Sequence, residues 1–281
     1  MVLGGGTRWL AGAMTLACVV LMGPSAPSGA LGTSQSAEAV GDIVTNRVLT
    51  WNLCNPCDTS NVDRAAEIAE LAPQVVGLQE ACTRDVDRIR EYLENLYGLT
   101  YHVAHGPVLR NMGRCGGAPW SPGAYGQAIL SAAPMSDRVV VEYPDGGSED
   151  RGYMAVTTLV DGRPLRVFNT HLAQRRQEAV RADQADLLAA DIARHDRALV
   201  LGDFNAVPEA PELTRIWALA TDTDAQCRPT RTATCRPTTD WQTKFDYVFL
   251  RGMLPLRHKV HPTPHSDHHL LHTDLDLDLR S

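Results

Sequence analysis

The sequence predicts one mixed α/β domain, and three observations lead there. Short β-branched runs alternate with amphipathic helical segments, no internal repeat or composition shift divides the chain after residue 30, and the composition is that of a folded soluble protein. The chain has 281 residues, 44% hydrophobic and 21% charged, which excludes a disordered protein and a polytopic membrane protein. A chain of this length can bury most of its surface around a single core. Against 33 acidic residues stand 26 basic ones, a net charge of −7. That balance excludes a protein held on DNA by a basic surface, because such affinity comes from cations displacing counterions. It does not exclude an enzyme acting on phosphates, whose turnover requires release.

The N-terminus reads as targeting. Arg8 precedes an uncharged run from Trp9 to Gly23, and Ser28-Gly29-Ala30 offers a small-x-small cleavage site. The run is too short for a comfortable membrane span. Cys18 lacks a lipoprotein context, since Thr15 stands where a leucine is usual and apolar residues continue past the cysteine. The expectation is a signal peptide over 1–30, a flexible polar segment over 31–46, a domain over 47–281 and a secreted protein.

Within that domain, residues 48–53 read as a strand, 62–71 as a helix and 74–79 as a buried strand, with Pro73 marking the break between the last two. A helix over 84–96 and a strand over 100–104 follow. The Gly- and Pro-rich stretch 106–126 suggests a long surface loop. Residues 128–131, 138–143, 153–160 and 165–170 are short and β-rich, joined by turns such as Asp161-Gly162. The longest helix spans 174–195, with Ala185, Leu188 and Ile192 on one face. Strands over 198–202, 245–251 and 270–279 complete the set, the last alternating Leu with Asp and therefore half exposed.

Beyond Cys18 there are six cysteines, at 54, 57, 82, 115, 227 and 235, an even number suited to disulfides in an oxidising compartment. Cys227 and Cys235 bracket one loop and are expected to pair; the other four allow three connectivities. Cys54-x-x-Cys57 has the spacing of a redox or zinc motif, but export favours a structural staple. Lys is confined to Lys244 and Lys259, so phosphate recognition falls largely to Arg.

The informative feature is that polar residues sit repeatedly at the C-terminal ends of apolar strands. Asn52 ends one, Glu80 another, His171 a third, and Asp203 with Asn205 a fourth; Asp246 begins a strand and Asp267-His268 precedes the last. Alone, each reads as a solvated strand end. As a set they point to convergence on one site at a sheet rim. Phosphate ester hydrolysis needs such groups, for in-line water attack, neutralisation of phosphoryl charge and stabilisation of the leaving oxygen. Glu80, with Asn52 and Asp267, supplies the hard oxygens that Mg²⁺ prefers, with Mn²⁺ or Ca²⁺ also admissible.

The local strings are more specific. Thr50-Trp51-Asn52, Gln79-Glu80, Asn169-Thr170-His171-Leu172, Gly202-Asp203-Phe204-Asn205, Phe245-Asp246-Tyr247-Val248 and Ser266-Asp267-His268 follow one another in this order. Together they resemble the endonuclease/exonuclease/phosphatase superfamily over residues 47–279. The resemblance implies a four-layered α/β (α+β) sandwich, two packed mixed β-sheets flanked by helices. It also implies a dyad in which Asp246 holds His268, an Asp203 that orients or deprotonates water, and Asn205 and His171 donating to phosphate oxygens. Arg151 matches a phosphate-contacting arginine in part of the family, and reads equally as a surface charge beside Glu149 and Asp150. The histidines at 258, 261, 265, 269 and 272 read as solvated loop residues around His268 rather than a zinc cage. Pro119-Trp120-Ser121-Pro122-Gly123 lacks the first glycine of a serine-hydrolase elbow.

The function expected is a secreted Mg²⁺-dependent phosphodiesterase, first a nuclease. Alternatives are a sphingomyelinase-like phospholipase C, a phosphomonoesterase, or a catalytically silent binding protein of the same fold. The partner expected is the phosphate-ester substrate, nucleic acid or phospholipid, for a monomer without a stable protein partner.

Overall fold

A computed structural model describes residues 42–55, 57–174, 176–230 and 234–277. The expected signal peptide (1–30) and most of the expected polar segment lie outside these residues.

The first half of the chain is β1 (Val44–Asn52), α1 (Asn61–Leu71), β2 (Pro73–Cys82), α2 (Thr83–Tyr97) and β3 (His102–Arg110). A short helix α3 (Met112–Cys115) and the two-residue strands β4 (Gly117–Ala118) and β5 (Ser121–Pro122) lead to β6 (Ala124–Ser131). Then come β7 (Ser136–Glu142), β8 (Gly152–Val160), β9 (Arg163–His171), α4 (Glu178–Ile192) and β10 (Ala198–Asp203). A single 3-10 turn (Pro211–Leu213), α5 (Thr214–Leu219), β11 (Thr221–Asp222), β12 (Asp246–Arg251), β13 (Leu254–His261) and β14 (Leu270–Asp276) complete it.

Local chemistry sets the boundaries. Ser60 caps α1 by accepting from Asp63 N, and the helix stops at Ala72, whose left-handed backbone turns the chain into Pro73. Gly98, at φ 68°, ends α2 in the same way.

Two six-stranded mixed sheets form, ordered β13-β14-β1-β2-β6-β3 and β11-β12-β10-β9-β8-β7. Val48, Val75, Ile129, Val156, Leu199, Leu201 and Leu271 fill the space between them. On the outer face of the first sheet, Ile68, Ile89 and Leu93 of α1 and α2 pack on Leu49, Trp51 and Leu78. On the outer face of the second, Ala185, Leu188 and Ile192 of α4 pack with Phe168, Val200 and Phe249. The result is the expected four-layered sandwich. Gly77 lies where the sheets approach closely, for a Cβ there would stand 2.9 Å from Leu201 Cδ1.

Each sheet contains one parallel pair joined over a helix, β1-α1-β2 and β9-α4-β10; the remaining pairings are antiparallel. Parallel strands end together, so Asn52 and Glu80 reach one rim of the first sheet, and His171 and Asp203 reach a rim of the second.

The structure differs from expectation at several places. β1 begins at Val44, inside the segment expected to be a polar tail, because Val44 N bonds Ala72 O at 2.8 Å. The stretch 106–126 is not a loose loop. β3 runs on to Arg110, paired with Ala124 of β6, and the turn between is tied to the end of β2 by the Cys82–Cys115 disulfide. Its glycines permit close strand approach, since a Cβ on Gly126 would meet Gly106 O at 2.4 Å. His258 and His261 lie on an edge strand, β13, where the prolines on either side suggested a loop. His261 and His272 stack across β13 and β14, 2.8 Å apart at Nε2 and Nδ1. Cys227–Cys235 pairs as expected, and the open connectivity resolves as Cys54–Cys57 and Cys82–Cys115.

Candidate active site

Strand register brings the polar ends together. Asp203, the last residue of β10, lies directly opposite His171 of β9 on one side and Asp246 of β12 on the other. The first sheet joins them through Asn52, whose Nδ2 donates to Asp203 Oδ2 at 3.0 Å. Glu80 sits at φ 52°, where the pairing of β2 with β6 shifts between Leu78 and Ala81; such a bulge re-aims a side chain out of the alternation. A pocket of about 440 Å³ is lined by Glu80, Arg151, His171, Asp203, Asn205, Trp241, Asp267 and His268 among others.

The other residues of the strings are the frame. Buried Gln79 donates from Nε2 to Asn169 Oδ1 at 2.6 Å and to Thr50 Oγ1 at 3.0 Å. Asn169 in turn donates to Leu78 O and Ala128 O, both at 2.9 Å, so this network ties one sheet to the other behind the pocket. Trp51 Nε1 donates to His268 O at 3.1 Å, and Ser266 Oγ to Asn52 O at 2.8 Å. These bonds lock the segment carrying Asp267 and His268 onto β1.

His268 Nδ1 donates to Asp246 Oδ2 at 2.8 Å, and Thr238 Oγ1 donates to the same oxygen at 2.7 Å. Burial opposes charge on the ring, but Asp246 and then Asp203 outweigh it and lift His268 to about 10. The ring is therefore a cation at neutral pH. Burial pushes the Asp246 carboxyl upward, and the charged ring against it opposes that rise.

Burial also works against ionised Asp203, but His268 and His171 overcome it and hold its carboxyl well below the usual range. Asp203 Oδ1 accepts from Asn205 N at 2.8 Å. His171 Nε2 lies 3.3 Å from Asp203 Oδ2 and 3.0 Å from Asn205 Nδ2. Arg151 is 2% exposed, and its Nη1 lies 2.9 Å from His171 Nδ1 and 2.8 Å from Glu149 Oε2. Because arginine only donates, His171 Nδ1 accepts and Nε2 carries the proton toward Asp203; Asn205 Nδ2 is then a second donor beside that nitrogen rather than its hydrogen-bond partner, and donates to Leu172 O at 3.1 Å. Glu149 is shared with Arg114. Arg151 is thus a buried member of this chain of contacts while it lines the pocket.

Glu80 and Asp267 form an oxygen-rich edge. Glu80 Oε2 accepts from Asn55 N at 3.1 Å, and Oε1 has no protein donor among the described residues. Burial raises the Asp267 carboxyl, His268 counters it, and Glu80 adds repulsion. Two carboxylates that line one pocket and repel each other, with the Asn52 carboxamide bonded to Asp203 of the same pocket, are a donor set that fits a hard divalent cation. Among the described residues, ligand atoms of Asp203, Asp246 and His268 also cluster within 4.8 Å, but that set is taken up by its own hydrogen bonds. Thr238 and Trp241 were not singled out in the sequence; only their nearness to Asp246 in the chain hinted at them.

The model of the Endonuclease/Exonuclease/phosphatase family matches residues 49–268, a span that takes in every string from Thr50 to His268. No curated protein sequence matches the chain. An endonuclease/exonuclease/phosphatase from Beutenbergia cavernae superposes with a TM-score of 0.66 at 22% identity, covering 82% of this chain and 70% of its own. TDP2 of D. rerio complexed with single strand DNA product gives 0.63 at 18% identity, covering 82% and 98%. Sphingomyelinase C from Streptomyces griseocarneus gives 0.58 at 18% identity, covering 82% and 99%. At such identities the structural likeness is one of fold. The match across most of the sequence goes further: this chain belongs to the endonuclease/exonuclease/phosphatase family, metal-dependent hydrolases of phosphoester bonds.

Proposed function

We propose that the chain is an exported Mg²⁺-dependent phosphodiesterase with nucleic acid as its first substrate. The observation that carries the reading is geometric: His268, bonded through Nδ1 to buried Asp246 at 2.8 Å, shares one pocket with the Glu80 carboxylate. Glu80, Asn52 and Asp267 would hold the metal, which when bound would neutralise charge on the phosphoryl and leaving oxygens. His268 donates from Nε2 to a phosphoryl oxygen; being already protonated, it is not the base. His171 and Asn205 donate to the same phosphate, as oxyanion donors do. Substrate draws the His171 and His268 protons away from Asp203, whose carboxylate is then more basic and orients the attacking water. Arg151 contributes positive charge from behind His171.

Nucleic acid is favoured by Trp241, 45% exposed and edge-on to His268 at 5.4 Å between ring centres, a face on which a base can stack. A second reading, a sphingomyelinase-like phospholipase C, is favoured by Trp120, 87% exposed between β4 and β5, an apolar group suited to a lipid surface. Export is supported by the three disulfides, which suit an oxidising compartment.

The test is to assay the mature protein with Mg²⁺ and with chelator against DNA, RNA, sphingomyelin and a generic phosphomonoester. DNA or RNA cleavage that chelator abolishes is expected. Cleavage of sphingomyelin alone promotes the second reading; activity that survives complete chelation, or that alanine at His268 leaves unchanged, rejects the mechanism.

A further inference from the structure

Just past β1 the Cys54–Cys57 disulfide joins two residues at a sequence separation of 3, and the consecutive amides of Cys54 and Asn55 point at two of the residues assigned above to the metal. Cys54 N donates to Asn52 Oδ1 at 2.9 Å, and Asn55 N donates to Glu80 Oε2 at 3.1 Å. The first bond turns the Asn52 carboxamide so that Nδ2 faces Asp203. The second fixes one Glu80 oxygen and leaves the other for a ligand. We propose that the Cys54–Cys57 disulfide is a positioning element for the site: it holds these two amides on Asn52 and Glu80 and so sets the affinity for a divalent cation. The inference rests on the reading of Glu80 as a metal ligand.

Three features support a positioning role over a simple staple. Entropic stabilisation by a cross-link grows with the loop it closes, and this bridge spans a separation of 3 residues against 33 and 8 for the other two. It is therefore the bridge that contributes least to stability through the unfolded chain. Cys54 is held at φ 47°, a left-handed backbone conformation that a non-glycine residue keeps only where its surroundings impose it. The restraint comes from several sides, for buried Arg64 of α1 donates from Nη2 to Leu53 O at 2.9 Å. Asn55 Nδ2 also lies 3.0 Å from Cys82 Sγ, so the loop abuts the second disulfide, two residues beyond Glu80. The bridge is the covalent member of these restraints, and its loss is expected to let Cys54 relax toward ordinary backbone angles and to lengthen the two amide bonds.

Groups that hydrogen-bond a metal's ligands change its affinity by about 10–100-fold. The experiment measures Mn²⁺ dissociation constants directly, by titration calorimetry without substrate, for the oxidised wild type and the Cys54→Ala/Cys57→Ala double variant. Circular dichroism and thermal melting confirm folding. The double variant is expected to bind Mn²⁺ about 10–100-fold more weakly. Cys54→Ser/Cys57→Ser, which opens the same bridge, is the second variant and is expected to weaken binding likewise; if neither double variant folds, the bridge is a structural staple and the positioning role is overturned. Glu80→Gln is measured alongside. If Glu80→Gln weakens binding while the folded loop variants bind as wild type does, the positioning role is overturned and the metal site stands. If Glu80→Gln binds as wild type does, the metal assignment itself falls, and this inference with it.

Discussion

Replacing Asp246 by Asn removes the anion on which the charge of His268 depends while keeping the size of the side chain. Asp246 is fully buried and lies 2.8 and 3.1 Å from His268 Nδ1 through its two oxygens. Burial by itself lowers His268 below its ordinary 6.5, and Asp246 is the larger of the two main influences that raise it to about 10. In Asp246→Asn the balance tips back toward burial, and the ring is expected to be largely neutral at neutral pH. Loss of the proton donor lowers kcat by about 10²–10⁴-fold, the usual worth of a positioned acid or base. Wild-type activity should hold until pH rises through about 10, whereas the variant's alkaline limb should move toward neutrality. Stability follows the same sign. A folded-state value above the unfolded one stabilises fully below pH 6.5 and loses that contribution as pH rises through about 10. Breaking a buried pair costs about 3–5 kcal/mol, so the difference between wild type and variant should be full near pH 6.5, where Asp246 is still ionised, and shrink toward pH 10. The assay is kcat against pH with saturating Mg²⁺, together with denaturant unfolding across the same range. An alkaline limb that stays near 10 in Asp246→Asn would refute the charge assignment.

Arg151→Met should release His171 to its other tautomer and lower kcat roughly 10-fold or more, the worth of a hydrogen bond to a charged group; nitrogen NMR of the ring reads the tautomer, and an unchanged spectrum defeats the idea. Lys244→Met strands Asp222, buried 2.9 Å from Lys244 Nζ, and should cost about 3–5 kcal/mol in denaturant unfolding. The double variant Lys244→Met/Asp222→Leu should recover most of that loss, and equal damage in both would count against an ion-pair origin. Gly77→Ala forces a methyl against Leu201 and Asn169 between the sheets, with an expected cost of about 1–3 kcal/mol and a lower Tm; a neutral result would mean that the sheets separate easily.

Much of the site was legible because its residues sit at the ends of apolar strands, where a polar group needs a reason. Asn52, Glu80, His171, Asp203 and Asp246 stand out in this way; Glu80, His171 and Asp203 line one pocket, and Asn52 and Asp246 are hydrogen-bonded to its residues Asp203 and His268. Helix faces were legible too, since Ala185, Leu188 and Ile192 recur at the helical period and all are buried. The misreadings share one cause. Prolines around β13 and glycines along β3 and β6 are local signals for loops, but pairing with distant strands supplies the hydrogen bonds that local propensity does not register.

The sequence by itself determined which chemical groups exist, the order in which they occur and the strands and helices that carry them. Tertiary structure decided how those groups behave. Trp51 reaches His268 across 217 residues and Asn52 reaches Asp203 across 151, contacts to which no local pattern points. The positive charge on His268, the strongly held charge on Asp203 and the tautomer of His171 all arise from burial and from partners a few ångströms away. Electrostatic energy depends on distance and solvent exposure. Both quantities come into being only when the two sheets pack and bring their strand ends to the same rim.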